Sequence, residues 1–193
     1  MRISIKEEKD LLRRRFFAER ETLSVPVKKE ALKAIHRNII RVLDDVATGS
    51  TQVCGYRAVG DEVDPCVRPL TDWFFPRIEG KALTFWRPRS KDAFQVNRFG
   101  IPEPIPDQSK ALDPKKPILA LCPAIAVDSL GRRIGRGAGH YDRFFQAHPD
   151  AIRVGVVFHI QASQNPLPAE GWDQSLDWVI TEKMILRVSQ RSS

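Results

Sequence analysis

The residues best suited to chemistry lie in one stretch, DSLGRRIGRGAGHYDRFF, which runs from Asp128 to Phe145. Its first twelve residues contain four glycines and three arginines. Guanidinium groups pair with phosphate in a forked geometry, and alternating glycines let the backbone approach a ligand closely or adopt positive φ angles. The stretch therefore predicts an anion-binding loop whose guest is phosphate. The alternative is a glycine-rich turn whose arginines only face solvent.

The elements on either side would position this loop. A nearly continuous apolar run, Ile118 to Val127, precedes it, and a helix is predicted after it from Gly139 to about Ala147. A second apolar run, Ile152 to Ile160, follows that helix. Such runs are typical of central strands buried on both faces, so the segment predicts a β-α-β unit. Its helix would direct backbone N–H groups and a positive dipole end at the loop.

The common nucleotide-binding motifs do not fit this loop. A dinucleotide fingerprint starting at Gly135 would need glycine where His140 stands, and the Gly-Lys-Ser/Thr ending of a Walker A loop is absent. Asp142, just inside the predicted helix, has two interpretations. It is either a favourable charge at the helix N-terminus or a ligand of magnesium bound against phosphates.

Two more helices are predicted near the N-terminus. The first, Ile5 to about Glu21, places Lys9, Arg13 and Arg20 on one side, as a basic stripe that faces either solvent or a site. The second repeats apolar residues at core-facing spacing, and these are Leu32, Ile35, Ile39, Val42 and Val46.

Short apolar runs predict the strands: QVCGYRAV, DWFFPRI, ALTFW, PILALCPAIAV, IRVGVVFHI and DWVITE. The proline-rich segment 99–117 is predicted to be a surface loop, either a linker or a lining of the substrate site. The fold class expected from these elements is α/β. We expect a single three-layer domain over residues 1–193, with a mostly parallel central sheet flanked by helices.

The amino-acid composition limits the kinds of molecule that the chain is expected to bind and the compartment in which it is expected to lie. The chain has 31 Lys and Arg against 24 Asp and Glu, a net charge of +7, which suits nucleic acid, an acidic membrane or a small polyanion such as a nucleotide. It contains neither a signal-peptide core nor a run of about 18 apolar residues, so a cytoplasmic location is predicted. The three cysteines lack the spacing of a disulfide framework or zinc site and are interpreted as small buried hydrophobes.

The stretch PAIAVDSLGRRIGRGAGHYDRFF resembles the signature of the 5-formyltetrahydrofolate cyclo-ligase family, usually close to PGLAFDxxGxRLGxGxGYYDRFL. Other segments resemble further family motifs. KDLLRRRFFAERETLS is similar to the opening helix, GYRAVGDEVD to a Y-x-x-x-x-x-EVD segment, FGIPEP to a GIxEP loop, and NPLPAEGWDQSLDWVITE to the LPxExHDxxLDxIITE ending. The ordered matches run from Lys9 to Glu182.

This resemblance implies an ATP- and magnesium-dependent closure of 5-formyltetrahydrofolate to 5,10-methenyltetrahydrofolate, with release of ADP and phosphate. It implies catalytic roles for Arg136 and Tyr141, and magnesium ligation by Asp142 and Asp173. The implied ATP-binding residues are Lys9, Arg13, Arg133, Ile134, Gly135, Arg136, Gly137, Ala138, Gly139, His140 and Tyr141. The implied folate-binding residues are Arg57, Glu62, Phe99, His140 and Tyr141. The expected partners are reduced folate and ATP, without nucleic acid or membrane, and the expected state is a monomer.

The chain departs from the family pattern at Arg57, Ala124, Val127, His140 and Trp172. His140 replaces the first of two tyrosines in the loop, and Trp172 stands where a histidine precedes the second metal ligand. About six residues are missing before the FPRI run, so the crossover helix is expected to shrink to a turn or two. Two alternatives therefore remain. One is a non-catalytic homologue that binds folate or nucleotide, and the other is a basic nucleic-acid-binding protein.

Overall fold

The computed structural model describes residues 3–98 and 100–188. In this part of the chain the α-helices are α1 (Ile5–Glu21), α2 (Val25–Val46) and α3 (His140–Ala147), so the three predicted helices are confirmed. Helix α1 begins with a capping box, because Ser4 and Glu7 each accept a backbone N–H from the other. The basic stripe faces the protein rather than solvent, since Lys9 and Arg20 are both buried.

The strands are short, and most come from the apolar runs seen in the sequence. They are β1 (Gln52–Cys54), β2 (Phe75–Glu79), β3 (Ala82–Pro88), β4 (Phe94–Val96), β5 (Pro102–Pro104), β6 (Ser109–Ala111), β7 (Ile118–Pro123), β8 (Ala126–Asp128), β9 (Arg133–Ile134), β10 (Ile152–Val156), β11 (Ala162–Ser163), β12 (Trp178–Ile180) and β13 (Ile185–Arg187).

A five-stranded sheet with the order β1-β7-β10-β12-β13 forms the centre of the molecule. Its first four strands are parallel, and only β13 runs antiparallel to its neighbour. The mostly parallel central sheet is therefore confirmed. Strands β7 and β10 are adjacent and parallel with α3 between them in the chain, which confirms the predicted β-α-β unit.

The two faces of the sheet are covered by different elements. Leu119 and Leu121 of β7 belong to a buried cluster that α2 supplies with Ile35 and Ile39. The intervening residues of β7 belong to a second cluster, together with Phe144 of α3 and residues of the three-stranded β2-β3-β6 sheet. Alternate residues of a strand point to opposite faces, so α2 lies on one side and α3 on the other. The three-layer α/β arrangement is confirmed.

The predicted continuous strand from Ile118 to Val127 is wrong. Strand β7 ends at Pro123, and from Ile125 onwards the backbone pairs elsewhere, beginning with the Ile125 N–H, which donates to the carbonyl of Ile134 at 2.8 Å. Strand β8 then joins a separate three-stranded sheet, β11-β8-β9. After this turn, the glycine loop lies near the end of β7, since Pro123 and Gly135 line the same cavity.

The proline-rich segment is not the irregular loop expected from its sequence. It forms β5, which pairs with β4, and β6, which pairs with β3. Prolines are tolerated there because β4 and β5 form a two-stranded sheet in which each is an edge strand. The prediction of a shortened crossover is confirmed, because between β1 and β2 the described chain forms only one 3-10 turn, Leu70–Asp72.

Candidate active site

A cleft of about 520 Å³ lies where α1, the loop after β1, strands β2 and β3, the glycine loop and residues 170–173 meet. This volume is typical of a site for a small molecule. Among the described residues, every position that the family pattern assigns to a ligand or metal lines this one cleft: Lys9, Arg13, Arg57, Glu62, all of 133–142, and Asp173. Phe99, the remaining predicted position, lies outside the described residues.

The glycine loop has backbone positions that require glycine. Gly137 and Gly139 have φ angles of +97° and +67°, and Gly139 is the N-cap of α3, so side chains there would be strained. Gly135 is restricted by space rather than by its backbone angles, since a Cβ there would come within 2.8 Å of the Arg133 guanidinium. Helix α1 is joined to the loop because Arg13 Nε donates to the carbonyl of Gly135 at 2.8 Å.

Lys9 links α1 to the acidic segment near the C-terminal end of the described chain. Its buried ammonium donates to Glu170 Oε2 at 2.8 Å and to Asp173 Oδ2 at 2.5 Å. Burial by itself would lower the pKa of Lys9, but the hydrogen bonds and charges of Asp173 and Glu170 outweigh it and raise that pKa. The ammonium therefore remains charged at neutral pH.

A second ion pair joins the loop to the first turn of α3. Arg133 Nη2 donates to Asp142 Oδ1 at 2.9 Å, and the two side chains are 5% and 19% exposed. The same oxygen accepts the backbone N–H of Gln174 at 3.2 Å. Because Gln174 follows Asp173, this contact brings the two predicted metal ligands into neighbouring segments of the cleft wall.

The donor set suits magnesium. Mg²⁺ favours oxygen ligands and is commonly held by one or two carboxylates together with substrate phosphates and water. Asp142 and Asp173 each use a single carboxylate oxygen in their hydrogen bonds within the described chain. The described residues contain no group of three or more His, Cys, Asp or Glu side chains arranged to hold a metal, so phosphate and water would have to complete the coordination.

The loop arginine nearest solvent contacts the predicted folate-binding carboxylate. Arg136 Nε and Nη2 donate to Glu62 Oε1 at 3.0 and 2.7 Å. Glu62 Oε2 accepts the N–H of Val59 at 3.0 Å, which fixes the carboxylate within its own loop. The Glu62 side chain is 8% exposed and that of Arg136 is 54% exposed. The phosphate-binding and folate-binding regions expected from the sequence therefore adjoin.

Two tyrosines line the cleft with hydroxyl groups that are buried and have no hydrogen-bond partner among the described residues, namely Tyr56 and Tyr141. Burial raises the pKa of both phenols well above the usual value, so both remain hydrogen-bond donors at neutral pH. Tyr141 was expected at the site. Tyr56 was not, although the signal was present, because it is the first residue of the Y-x-x-x-x-x-EVD segment.

Sequence reasoning also missed Glu103 and Glu170, together with the apolar lining of one end of the cleft. Glu103 is buried, and its Oε1 accepts the N–H of Ile78 at 2.9 Å and an amide N–H of Asn97 at 2.8 Å. The apolar lining comes from Pro76, Ile78, Leu83 and Ile101. Because Ile101 and Glu103 belong to the proline-rich segment, that segment lines the cleft, as one of its two interpretations predicted.

Two residues that differ from the family pattern, His140 and Trp172, have different surroundings. His140 Nδ1 lies 3.2 Å from the carbonyl oxygen of Lys81, so this imidazole ties the start of α3 to the β2–β3 turn. Trp172 lines the cleft and is 64% exposed.

Cys54 and Cys122 are free and buried, and burial raises the pKa of both thiols, that of Cys122 to about 11. They are inert packing residues, as expected.

Within the described residues, no helix combines the length and hydrophobicity needed to cross a lipid bilayer.

Known proteins resemble this chain in sequence and in fold. The model of the 5-formyltetrahydrofolate cyclo-ligase family matches residues 5–182. The 5-formyltetrahydrofolate cyclo-ligase of Haemophilus influenzae is 34% identical over 114 residues, which cover 58% of this chain and 56% of that protein. The corresponding protein of Mycolicibacterium smegmatis is 36% identical over 85 residues, 44% of each chain. These alignments thus span about half the length of the curated relatives.

Solved structures extend the likeness to nearly the whole chain. The NMR structure of Aquifex aeolicus 5,10-methenyltetrahydrofolate synthetase is similar with a TM-score of 0.73 and 28% identity, over 96% of this chain and 95% of that one. A 5,10-methenyltetrahydrofolate synthetase from Mycoplasma pneumoniae has a TM-score of 0.67 at 18% identity, over 90% of this chain and 98% of that one. At that identity the second comparison shows the fold alone.

Proposed function

The chain belongs to the 5-formyltetrahydrofolate cyclo-ligase family, and from this premise we propose that it converts 5-formyltetrahydrofolate and ATP into 5,10-methenyltetrahydrofolate, ADP and phosphate. One observation carries the proposal. All described residues that the family pattern assigns to the ligands line a single cleft, in which cations of α1 and of the glycine loop are combined with Glu62 and with apolar residues of β2 and β3. A cytoplasmic, monomeric enzyme remains our expectation.

The cations of the cleft suit ATP. Residues 133–141, with Lys9 and Arg13 of α1, would hold the phosphates through guanidinium and ammonium groups and the backbone N–H groups at the start of α3. The ion pairs of Lys9 and Arg133 keep these two cations charged and fixed before any phosphate arrives. Such preorganisation favours phosphoryl transfer, which depends on positioning and charge neutralisation more than on a protein nucleophile.

Glu62 and the apolar residues of the cleft suit the reduced pterin. Glu62 would accept N–H groups from its hydrogen-bonding edge, while Ile78, Leu83 and Ile101 would pack against the ring. The hydroxyls of Tyr56 and Tyr141, buried without partners among the described residues, would gain hydrogen bonds from the substrate. A buried polar group without a partner is costly, so the folate would stabilise this part of the cleft.

In the proposed reaction the formyl oxygen attacks the γ-phosphorus of ATP and ADP leaves. N10 then bonds to the activated formyl carbon and loses its proton, and phosphate departs with that oxygen and takes up the proton, which gives the methenyl bridge. Arg136 lies between the phosphate loop and Glu62, where its guanidinium would stabilise charge on the transferring group. Asp142 and Asp173 would hold Mg²⁺, which when bound supplies charge neutralisation at the phosphates.

The direct test mixes the purified protein with 5-formyltetrahydrofolate and ATP·Mg²⁺. We expect the near-ultraviolet absorbance of the methenyl product to grow, with one ADP formed per product. ADP without methenyl product would indicate a nucleotidase and refute the cyclisation. Absence of both, with nucleotide or folate binding retained, would indicate the non-catalytic homologue.

The role of Glu62 gives a separate prediction. Glu62→Gln preserves shape but removes a charged acceptor, a loss of roughly 1.5–3 kcal/mol. The dissociation constant of 5-formyltetrahydrofolate, measured calorimetrically without nucleotide, should therefore rise at least tenfold, while that of ATP stays unchanged. Asp61→Asn is the matched control, because this neighbouring carboxylate is 49% exposed and pairs with Lys28 outside the cleft lining. Equal weakening of both ligands, or of neither, would contradict the assignment.

A further inference from the structure

Arg57 differs from the other cations that line the cleft. Lys9, Arg13, Arg133 and Arg136 each pair with a carboxylate of the chain. Arg57 has no hydrogen bond or ion pair with any described residue, although it is only partly exposed and lines the same cleft. The site thus contains one guanidinium whose five N–H donors have no protein acceptor among residues 3–98 and 100–188.

The position of this guanidinium is nevertheless defined. Its Cζ lies 5.9 Å from the ring centroid of Phe94, within the range of a cation–π contact. The Phe94 ring packs edge-on against Phe75, a fully buried residue, with centroids 5.3 Å apart. An anchored ring thereby holds the guanidinium, and this contact uses none of the N–H groups in hydrogen bonds. Arg57, which lines the cleft, therefore keeps its forked N–H donors available to a ligand.

Arg57 belongs to the loop that contributes residues proposed to bind the folate. Tyr56, Val59 and Glu62 are in this loop and line the same cleft, whereas the cations expected to hold phosphate come from α1 and from residues 133–136. No described hydrogen bond or ion pair connects Arg57 to that phosphate loop. An anion that reaches Arg57 should therefore come from the folate rather than from the nucleotide.

Reduced folate carries its negative charge in one place. The pterin is neutral, and the carboxylates belong to the glutamate joined to the aminobenzoyl group. Arginine binds planar carboxylates through paired N–H donors better than lysine does. We propose that Arg57 binds a carboxylate of this glutamate and makes the chain selective for reduced folates over the corresponding pteroates, which lack the glutamate. This inference rests on the proposed function, because it assumes that the cleft binds folate.

Arginine at position 57 departs from the family pattern, and this difference affects which ligands the cleft would favour. An apolar residue is expected after Tyr56 in that pattern, and an apolar side chain can only pack against a ligand. A guanidinium at this position is desolvated when a ligand fills the cleft, which is unfavourable unless the ligand supplies an acceptor. Arg57 should therefore favour ligands that carry a carboxylate and disfavour those that lack one.

The test compares two ligands without nucleotide, 5-formyltetrahydrofolate and 5-formyltetrahydropteroate, which lacks the glutamate. Calorimetry on the wild type should show a preference for the glutamylated ligand of roughly ten- to a hundredfold. Arg57→Met, which keeps an unbranched apolar stem, should abolish most of this preference, while Arg57→Lys should keep a smaller part. Arg68→Met is the matched control, because this arginine is 49% exposed and lies outside the cleft lining.

The outcomes separate this inference from the proposed function. Folate binding without any preference in the wild type, or a preference that survives in Arg57→Met, overturns the role of Arg57 and leaves the proposed function standing. Failure of the wild type to bind either folate overturns both. If Arg57→Met does not fold, as judged by thermal unfolding, the Arg57→Lys titration decides, because an unchanged preference in it would contradict bidentate binding.

Discussion

Arg136→Met is expected to lower the turnover number on the order of a thousandfold, the scale of an arginine that stabilises a transferring phosphoryl group. Arg136 is suited to this role because it leaves the phosphate loop and reaches Glu62, so it lies between the two proposed ligands. The Michaelis constant for ATP should change much less than turnover, because other cations would hold the ground-state phosphates. Steady-state rates of methenyl formation, measured with ATP varied at saturating 5-formyltetrahydrofolate, give both constants.

Stability provides the control for this variant. The Arg136 side chain is 54% exposed but that of Glu62 is 8% exposed, so Arg136→Met leaves a buried carboxylate without its ion-pair partner and should lower the thermal midpoint. Turnover is therefore compared at a temperature at which both proteins remain folded. Arg136→Lys keeps the charge and should recover part of the rate. A large rise in the Michaelis constant with normal turnover would contradict a transition-state role and make Arg136 a ground-state ligand.

The same ion pair predicts a link between the two ligands. In the structure Glu62 accepts from Arg136, and an arginine that pairs with phosphate releases this carboxylate for the pterin. Folate should therefore bind more tightly in the presence of ADP·Mg²⁺ with aluminium fluoride, which mimics the transferring phosphoryl group, than in its absence. In Arg136→Met this enhancement should disappear, because the competing donor has been removed.

Local features of the molecule could be predicted from the sequence. The buried runs, the strand–loop–helix order and the glycine loop all depend on residues close together in the chain, and the central sheet with α3 on one face follows from them. The division of the apolar run 118–127 between two sheets, after Pro123, could not be predicted from the sequence. It depends on the pairing of Ile125 with Ile134, and a run that is buried throughout looks alike whether it occupies one sheet or two.

Contacts between distant segments explain what else was missed. Lys9 and Asp173 are 164 positions apart, and no spacing rule indicates that one neutralises the other. The basic stripe of α1 could therefore be interpreted only as facing solvent or a site, whereas the structure pairs its first member with two acids. Tyr56 and Glu103 were missed for a similar reason. Both belong to segments that resemble family motifs, so a signal was present, but their burial beside the cleft depends on tertiary contacts that the motifs do not show.

Asp142→Asn is expected to reduce both stability and activity, for two reasons that can be measured separately. The sequence allowed a helix-capping charge worth about 0.3–1 kcal/mol, but Asp142 is also the partner of Arg133, which is 5% exposed. Removing one charge of a largely buried pair leaves the other uncompensated, at a cost of about 3 kcal/mol in the free energy of unfolding. Chemical denaturation measures this cost when the same m value, the dependence of the free energy of unfolding on denaturant concentration, is used for both proteins.

The activity loss should be larger and should respond to magnesium. If Asp142 holds Mg²⁺, the neutral amide weakens the ion at the phosphates, and turnover should fall on the order of a hundredfold or more, with partial rescue at high Mg²⁺. Calorimetric titration of ATP at increasing Mg²⁺ gives a readout independent of turnover. The variant should need more Mg²⁺ than the wild type to reach the same ATP affinity, while 5-formyltetrahydrofolate binding without nucleotide should be preserved.

The double variant Arg133→Met/Asp142→Asn separates the two effects. Removing both charges of a buried pair is far less destabilising than removing one, so the free energy of unfolding should recover most of the loss. Activity should not recover, because Arg133 is itself a proposed phosphate ligand, and the Mg²⁺ requirement of the single variant remains the test of the metal role. If activity and stability instead return together, Asp142 acts only as the partner of Arg133 and the magnesium site lies elsewhere. An Asp142→Asn protein with normal turnover and an unchanged Mg²⁺ requirement would exclude the metal role just as firmly, because the amide would then have replaced a carboxylate that the reaction does not use.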